Sequence, residues 1–227
     1  MIDIAIAALR LMHILAGMTA LVVAPVAMVT AKGGAAHRRW GKLYFWMMAV
    51  VAVTAVPLGL WRPNYFLMLV AVFSFYFAFR GYRVLLRKHP ERGGGARALD
   101  WSAAIATFVA STALIAFGIL RPTALWVTLA PVAIVFGIGG VGAAGFDMVR
   151  FVRPPPERMA WWFSHMAGML GSYIATVSAF SVVNFDFLPT VARWLWPSVV
   201  GTPLIVLWII YYKLKFARRP TSATVTA

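Results

Sequence analysis

Seven apolar stretches, each long enough to cross a lipid bilayer as a helix, recur along this sequence and limit what it can fold into. A helix needs about 20 apolar residues to cross roughly 30 Å of hydrocarbon. The stretches lie at residues 11–31, 43–61, 64–86, 101–120, 123–146, 159–185 and 194–212. Because 62% of the residues are hydrophobic and only 12% are charged, the chain is far more apolar than a usual soluble domain. The sequence therefore predicts an all-α fold, a single seven-helix transmembrane domain that covers residues 1–227.

Lysine and arginine sort onto alternate connections between these stretches. Seventeen of the 21 basic residues fall on one side, at Lys32, Arg38, Arg39, Lys42, Arg80, Arg83, Arg87, Lys88, Arg92, Arg97, Arg150, Arg153, Arg158, Lys213, Lys215, Arg218 and Arg219. The other side receives Arg10, Arg62, Arg121 and Arg193. Basic residues accumulate in the cytoplasmic loops of membrane proteins. We therefore expect a multi-pass protein of the inner (plasma) membrane, with its N-terminus outside and its C-terminus in the cytoplasm.

The formal net charge of +15 would suggest a nucleic-acid partner in a soluble protein. Here the charges follow the predicted topology, so we expect no nucleic acid. The expected partners are a lipid bilayer with anionic lipids and, as a further option, partner subunits of a membrane complex. The sequence contains no cysteine, which excludes disulfides, thiolate nucleophiles and iron–sulfur clusters.

Short connections and small residues indicate which helices touch. The connections at 61–64 and 120–123 are so short that the helices on either side of each must be antiparallel neighbours. In the fifth stretch, small residues recur four apart, as in Gly140 and Ala144, which favours close helix packing over a nucleotide-binding loop. Tryptophans near the ends of the stretches are interpreted mostly as anchors at the membrane interfaces: Trp40, Trp46, Trp61, Trp161, Trp162, Trp194 and Trp196.

The sixth stretch carries a polar stripe. At 100° per residue, four side chains fall within about 40° of one direction, so this face should contact protein rather than lipid. They are His165, Met169, Ser172 and Thr176. Together with Tyr173, and with Asn184 at the outer end of the stretch, they are predicted to line a ligand site. The alternative for the two hydroxyls is a bond back to the carbonyl four residues earlier, which is common in membrane helices.

Three histidines are the candidate cofactor ligands: His13, His37 and His165. Neutral imidazole is the commonest side-chain ligand for metals and also binds haem iron. His13 lies in the first stretch, where a satisfied structural histidine is the alternative, and His37 lies in a predicted basic loop at 37–42, where a solvated charge run is the alternative. Counting 1.5 Å per residue places His13 within about 5 Å of the outer face and His165 about 10 Å from the cytoplasmic face. His37 and His165 are therefore the feasible pair for one haem b or one metal ion.

Three segments of the sequence resemble a known family. They are His13-Ile14-Leu15-Ala16-Gly17, the run from His37 to Tyr44, and the run from His165 to Tyr173. This pattern is similar to that of a group of bacterial multi-pass membrane proteins known as domain of unknown function 2306. The resemblance implies a multi-pass membrane fold and makes the three histidines the residues to test, but it implies no activity. Basic residues usually follow the third histidine in that group, whereas this chain has Met166, Ala167 and Gly168 there.

Three functions are compatible with these patterns. The first is a membrane redox or ligand-binding protein that holds one haem, metal or quinone through its histidines. The second is a small-molecule transporter or channel lined by the polar stripe and His13, although the acids Asp100 and Asp147 lie near the cytoplasmic ends of their stretches rather than at mid-membrane. The third is an accessory or assembly subunit of a larger membrane complex, which needs no site of its own. No catalytic residue can be assigned.

Overall fold

The computed structural model describes residues 2–89, 94–157 and 159–217, and over these residues the chain forms seven long α-helices and no strand. The helices are α1 (Ile2–Val29), α2 (Ala35–Trp61), α3 (Tyr65–Arg83), α4 (Ala98–Leu120), α5 (Ala124–Val152), α6 (Ala160–Asn184) and α7 (Thr190–Ala217). A 3₁₀ turn, Val84–Arg87, continues from the end of α3. The predicted all-α fold and the helix number are confirmed. Four of the predicted cytoplasmic basic residues, Arg92, Arg158, Arg218 and Arg219, lie outside the described residues.

All seven helices are long and apolar enough to cross a membrane. Much of their outer surface is apolar, as at Val22 on α1 and Leu207 on α7, both more than 60% exposed. Burial inside the bundle is greatest for α5 and least for α7. A surface of large exposed aliphatic side chains is what a helix bundle presents to lipid, where apolar groups need no cover.

Several helices extend beyond their apolar stretches. α1 begins at Ile2 rather than near residue 11, and α5 continues to Val152 rather than ending near residue 146. The prediction of a basic loop at 37–42 was wrong, because these residues form the first turns of α2, which begins at Ala35. Arginine and lysine are good helix formers, so a helix continues through a basic segment after its hydropathy has fallen. The histidine at position 37 is consequently held by a helix.

Helix neighbours follow the short connections. α2 packs on α3 and α4 packs on α5, which confirms both predicted hairpins. The predicted close packing of the α5 glycines is also confirmed, since a Cβ added at Gly140 would overlap the side chain of Ser111 on α4. Contacts between α3 and α6, which the sequence did not predict, place α6 against the middle of the bundle.

The α3–α6 contact depends on two glycines. A Cβ added at Gly168 would lie 2.6 Å from the Cα of Gly81, and a Cβ added at Gly81 would lie 2.9 Å from the backbone nitrogen of Met169. Each distance is too short for a real side chain, so the two backbones touch directly. This crossing lies one turn from His165 and fixes where that histidine stands.

An aromatic core fills the end of the bundle where α3, α5 and α7 begin. The Phe66 ring packs edge-to-face on Trp126 and Trp194, with centroid distances of 5.7 and 5.3 Å. Trp194 is only 7% exposed, so its expected role as an interface anchor was wrong. Aromatic side chains fill this end of the bundle, and the cavity described below lies at the opposite end.

Candidate functional site

His37 and His165 meet at the end of the bundle where α2 and α6 begin. Their ring centroids are 6.3 Å apart and their planes are inclined at 77°. Both residues are half-buried. The pairing expected from depth along the helices is therefore present in the structure.

Each of these imidazoles is oriented by a backbone carbonyl. Nδ1 of His37 donates to the carbonyl oxygen of Ala27 at 2.9 Å, and Nδ1 of His165 donates to that of Gly81 at 2.7 Å. Both carbonyls lie in the last turn of a helix, where carbonyl oxygens lack an N–H partner within the helix. Because a carbonyl can only accept, the proton must be on Nδ1, and in the neutral ring Nε2 keeps its lone pair.

The two Nε2 atoms are unused within the described part of the chain, where neither makes a hydrogen bond. Histidines that bind metals nearly always donate their other ring N–H to a carbonyl or carboxylate, which fixes the tautomer and the ring orientation. His37 and His165 both have this arrangement before any ligand is added. The pair is therefore preorganised to offer two nitrogen lone pairs.

The two histidines line a cavity of about 410 Å³. Its walls come from the end of α1, the start of α2, the 3₁₀ turn, the start of α6 and one residue of α7. The aromatic lining is Tyr44, Tyr82, Trp161, Trp162 and Trp208, and the thioether lining is Met28, Met166 and Met169. Trp161 and Trp162, expected as interface anchors, thus form part of a cavity wall. The volume lies in the range of about 300–1,000 Å³ that small-molecule and cofactor sites occupy.

Of the described residues that line this cavity, four are exposed cations, and we refer to them as the mouth cations: Lys32, Arg38, Lys42 and Lys88. Lys32 donates through Nζ to the carbonyl of Met28, and partial burial lowers the pKa of its ammonium group. Arg38 donates to the carbonyl of Gly33 at 2.6 Å. None of the four cations forms an ion pair with a carboxylate of the described residues.

Lys88 lies 4.3 Å above the centroid of the Trp161 ring. Among the described residues that line the cavity there is no aspartate or glutamate. Within this part of the chain the mouth cations therefore have no neutralising carboxylate, and the rest of the lining is mostly apolar and aromatic.

The polar stripe of α6 faces protein, as predicted, but only part of it lines the cavity. His165 and Met169 do, whereas Ser172 and Thr176 lie deeper in the bundle and are buried. The hydroxyl of Tyr44 donates to Oγ of Ser172 at 2.9 Å and lies 3.3 Å from Oγ1 of Thr176. Thr176 also bonds back to the carbonyl of Ser172 at 3.1 Å, which is the alternative that the sequence left open. These hydroxyls hold α2 against α6 and do not face the cavity.

The two remaining residues predicted to line the site are also elsewhere. Tyr173 packs against the hydrophobic cluster around Tyr44. Asn184 is exposed at the far end of α6, where its side chain donates to the carbonyl of Phe180 at 2.8 Å. Asn184 lies 19 residues beyond His165, or about 28 Å along the helix, so the two cannot share a small ligand.

His13 lies apart from the other two histidines. Its Nδ1 is 2.8 Å from Oγ1 of Thr54, whose own hydroxyl donates to the carbonyl of Val50 at 2.7 Å. Because α1 begins at Ile2, His13 lies about 16 Å along the helix from its first residue. Fourteen residues, or about 21 Å of helix, separate it from Ala27, the partner of His37. His13 therefore joins α1 to α2 and is not part of the cavity.

A second basic cluster lies at the same end of the bundle, and sequence reasoning missed its pairing. Arg80 binds Asp147 with both Nε and Nη2, at 2.7 and 2.6 Å, and the hydroxyl of Tyr76 donates to the same carboxylate at 2.8 Å. Arg83 and Arg87 approach Asp100 at 2.7 and 2.6 Å. We refer to these residues as the paired cluster.

A signal for this pairing is present in the sequence. Ionisable residues inside apolar helices are costly unless they pair with one another. Asp100 and Asp147 each directly adjoin an apolar stretch on the basic side, and Arg80 and Arg83 lie inside the third stretch. Because burying these charged side chains unpaired is costly, ion pairs between α3 and its neighbours α4 and α5 could have been predicted from the sequence.

Within the described residues, no three histidine, aspartate or glutamate side chains come together in a way that could hold a metal ion. No family model, curated protein or solved structure matches the chain. The resemblance to domain of unknown function 2306 therefore stays a prediction.

Proposed function

We propose that this chain is a multi-pass membrane protein, redox-active or ligand-binding, that holds one haem between His37 and His165. The observation that carries the proposal is the close pair of imidazoles that line one cavity, each fixed through Nδ1 to a backbone carbonyl and each with an Nε2 that makes no hydrogen bond within the described chain. A bound haem would supply one-electron transfer, and His37 and His165 would hold it through their imidazole nitrogens.

The number of ligands favours haem over a bare metal ion. Structural metal sites in proteins commonly use four protein ligands, and catalytic zinc sites use three. The cavity offers two imidazoles and no carboxylate. A haem iron brings four nitrogens of its own and needs only axial ligands from the protein. The four cations at the mouth also disfavour a bare divalent ion, because like charges repel.

The separation of the two rings fits this reading. With metal–nitrogen bonds of about 2.0 Å, two imidazoles that bind one metal have ring centres no more than roughly 6 Å apart. The observed separation is 6.3 Å. The aromatic walls supply flat apolar surface of the kind that a porphyrin ring packs against.

The proposed orientation places this site near the cytoplasmic face of the inner (plasma) membrane, with the N-terminus outside. Support comes from the sorting of basic residues, 17 of the 21 on one side. Anionic lipid head groups are the proposed neighbours of this basic side. A site at that depth would accept electrons from, or give them to, a cytoplasmic donor or acceptor.

The two alternatives receive less support from the geometry. A transporter or channel would need the α6 stripe to line a path, whereas Ser172 and Thr176 are occupied by Tyr44. An accessory subunit needs no site of its own, so this function would not explain the cavity. A quinone would bind to the same two histidines as a haem. An optical spectrum would distinguish a bound quinone from a bound haem.

The test is an optical spectrum with iron analysis of the full chain purified in mild detergent, with haem supplied during expression. We expect a Soret band and about one iron per chain, both lost in His37→Ala and in His165→Ala. His13→Ala is the matched control, since it removes an imidazole of the same kind bonded to Thr54 instead. A folded wild-type protein with neither Soret band nor stoichiometric iron, or variants that keep both, would refute the proposal.

A further inference from the structure

Basic residues at one end of the bundle are neutralised in one place and left unneutralised in another. In the paired cluster, Arg80, Arg83 and Arg87 each meet a carboxylate within 2.7 Å. Around the cavity, no described carboxylate lies within ion-pair distance of any of the four mouth cations. Among the described residues, acids thus lie beside the cations of the paired cluster and not beside those of the cavity.

Four like charges around one opening repel one another and raise the free energy of the empty site. An anion entering the mouth relieves that repulsion and gains hydrogen bonds from ammonium and guanidinium groups. The walls below the mouth are apolar and aromatic, and the imidazoles stand among them. The cavity is therefore amphiphilic, with an apolar interior for a ring system and a cationic mouth for acidic substituents.

We propose that the basic mouth formed by Lys32, Arg38, Lys42 and Lys88 binds the carboxylate groups of the cofactor, so that the site selects a porphyrin with free acid groups over a neutral one. This inference rests on the proposed function, since it assumes the haem that His37 and His165 would hold. The inference adds two points to the proposed function. The acidic edge of the cofactor is oriented toward the mouth, and the charge of its acid groups is the basis on which the site selects it.

The test compares two probes that share one iron porphyrin ring, iron protoporphyrin IX and its dimethyl ester, in which both carboxylates are replaced by uncharged ester groups. Each is titrated by absorbance into the full chain, purified without haem in a neutral detergent at low salt. Each exposed ion pair contributes up to about fivefold in affinity, so two carboxylates should give a preference for the free acid of up to about 25-fold. The preference should fall as salt is added, because salt screens exposed charges.

Lys42→Gln/Lys88→Gln removes two mouth cations that make no hydrogen bond within the described chain. We expect this variant to lose most of the preference for the free acid and to bind the ester as the wild type does. Arg39→Gln/Lys215→Gln is the matched control, since it makes the same change in net charge at exposed residues that do not line the cavity.

Equal wild-type affinity for both probes, with a histidine-dependent spectrum, would overturn this inference and leave the proposed function standing. A preference reduced equally by the mouth variant and by its control would also overturn it, because general surface charge would then be the cause. Failure of both probes to give a histidine-dependent spectrum would overturn both proposals. The wild-type salt dependence needs no variant, so a poorly folded variant does not prevent a decision.

Discussion

The paired cluster and the histidine cavity stand side by side and use the same residue types in opposite ways. In the paired cluster, the Asp100 carboxylate is 1% exposed and receives two guanidinium groups. At the cavity, the four mouth cations have no carboxylate partner among the described residues, and Nε2 of each of the two imidazoles makes no hydrogen bond there. Buried charges that are fully paired hold helices together, whereas polar groups left open at a concave surface bind something from outside. Charge alone does not distinguish the two regions, but the presence of a partner does.

The largest expected effect comes from breaking the paired cluster. Asp147→Leu leaves Arg80, whose side chain is 10% exposed, without its carboxylate. Removing one member of a buried ion pair costs about 3–5 kcal/mol. We expect the thermal unfolding midpoint in detergent to fall by about 10 °C or more, with the haem spectrum per folded molecule unchanged.

Two variants sharpen this result. Arg80→Met/Asp147→Leu removes both charges and should recover most of the stability, because an apolar pair of similar size can replace a buried ion pair. Asp186→Leu removes the carboxylate of an exposed pair, in which Asp186 is 86% exposed, and should change the midpoint little. If Asp147→Leu abolished haem binding in molecules that remain folded, the division between the two regions would be wrong.

A smaller effect, acting on both stability and binding, is expected from the α3–α6 crossing. Gly168→Ala would place a methyl group 2.6 Å from the Cα of Gly81, where neither backbone can yield without moving the helices. Overpacking of this kind costs about 1–3 kcal/mol. It should also displace the Gly81 carbonyl from Nδ1 of His165 and weaken haem binding, measured by titration.

The control for this change is Gly142→Ala, a helical glycine whose added Cβ would meet nothing within 4 Å. Alanine is the better helix former, so stability should stay level or rise slightly. Unchanged stability and haem affinity in Gly168→Ala would show that the crossing does not position the site.

Much of the fold could be predicted because hydrocarbon thickness sets helix length and short connections set neighbours. The hairpins at 61–64 and 120–123 followed from geometry alone. The pairing of His37 with His165 also followed, because depth along a helix can be counted in residues. Periodicity likewise identified the face of α6 that is turned toward protein.

The partners of the polar side chains could not be predicted in the same way. Periodicity shows that Ser172 faces protein but not that Tyr44, 128 residues away in sequence, supplies its hydrogen bond. That contact depends on how closely α2 and α6 approach, which is set by packing at other positions. Hydropathy also ends a stretch at its first cations, so the turns of α2 that hold His37 were assigned to a loop.

The bond between Tyr44 and the α6 hydroxyls tests whether the stripe is structural. Tyr44→Phe leaves Ser172, which is fully buried, without a hydrogen bond to its hydroxyl. An unsatisfied buried hydroxyl costs about 1–3 kcal/mol. We expect a small drop in the unfolding midpoint and an unchanged haem spectrum. Tyr65→Phe, at a residue 65% exposed, should have no effect on either measurement; a lost Soret band in Tyr44→Phe would instead place that hydroxyl at the ligand.

The smallest effect is expected at His13, where a substitution tests whether this histidine is structural or binds the cofactor. His13→Ala removes one hydrogen bond to Thr54, but that hydroxyl still donates to the carbonyl of Val50 and is not left unsatisfied. The loss should be about 1 kcal/mol, seen as a shift of a few degrees in the unfolding midpoint. Haem content and spectrum should match the wild type, because about 16 Å of helix separates His13 from Ala24, where the cavity lining on α1 begins. A change in haem spectrum on His13→Ala would mean that all three histidines bind cofactor. The distinction between paired groups, which are structural, and open groups, which bind a ligand, would then be wrong.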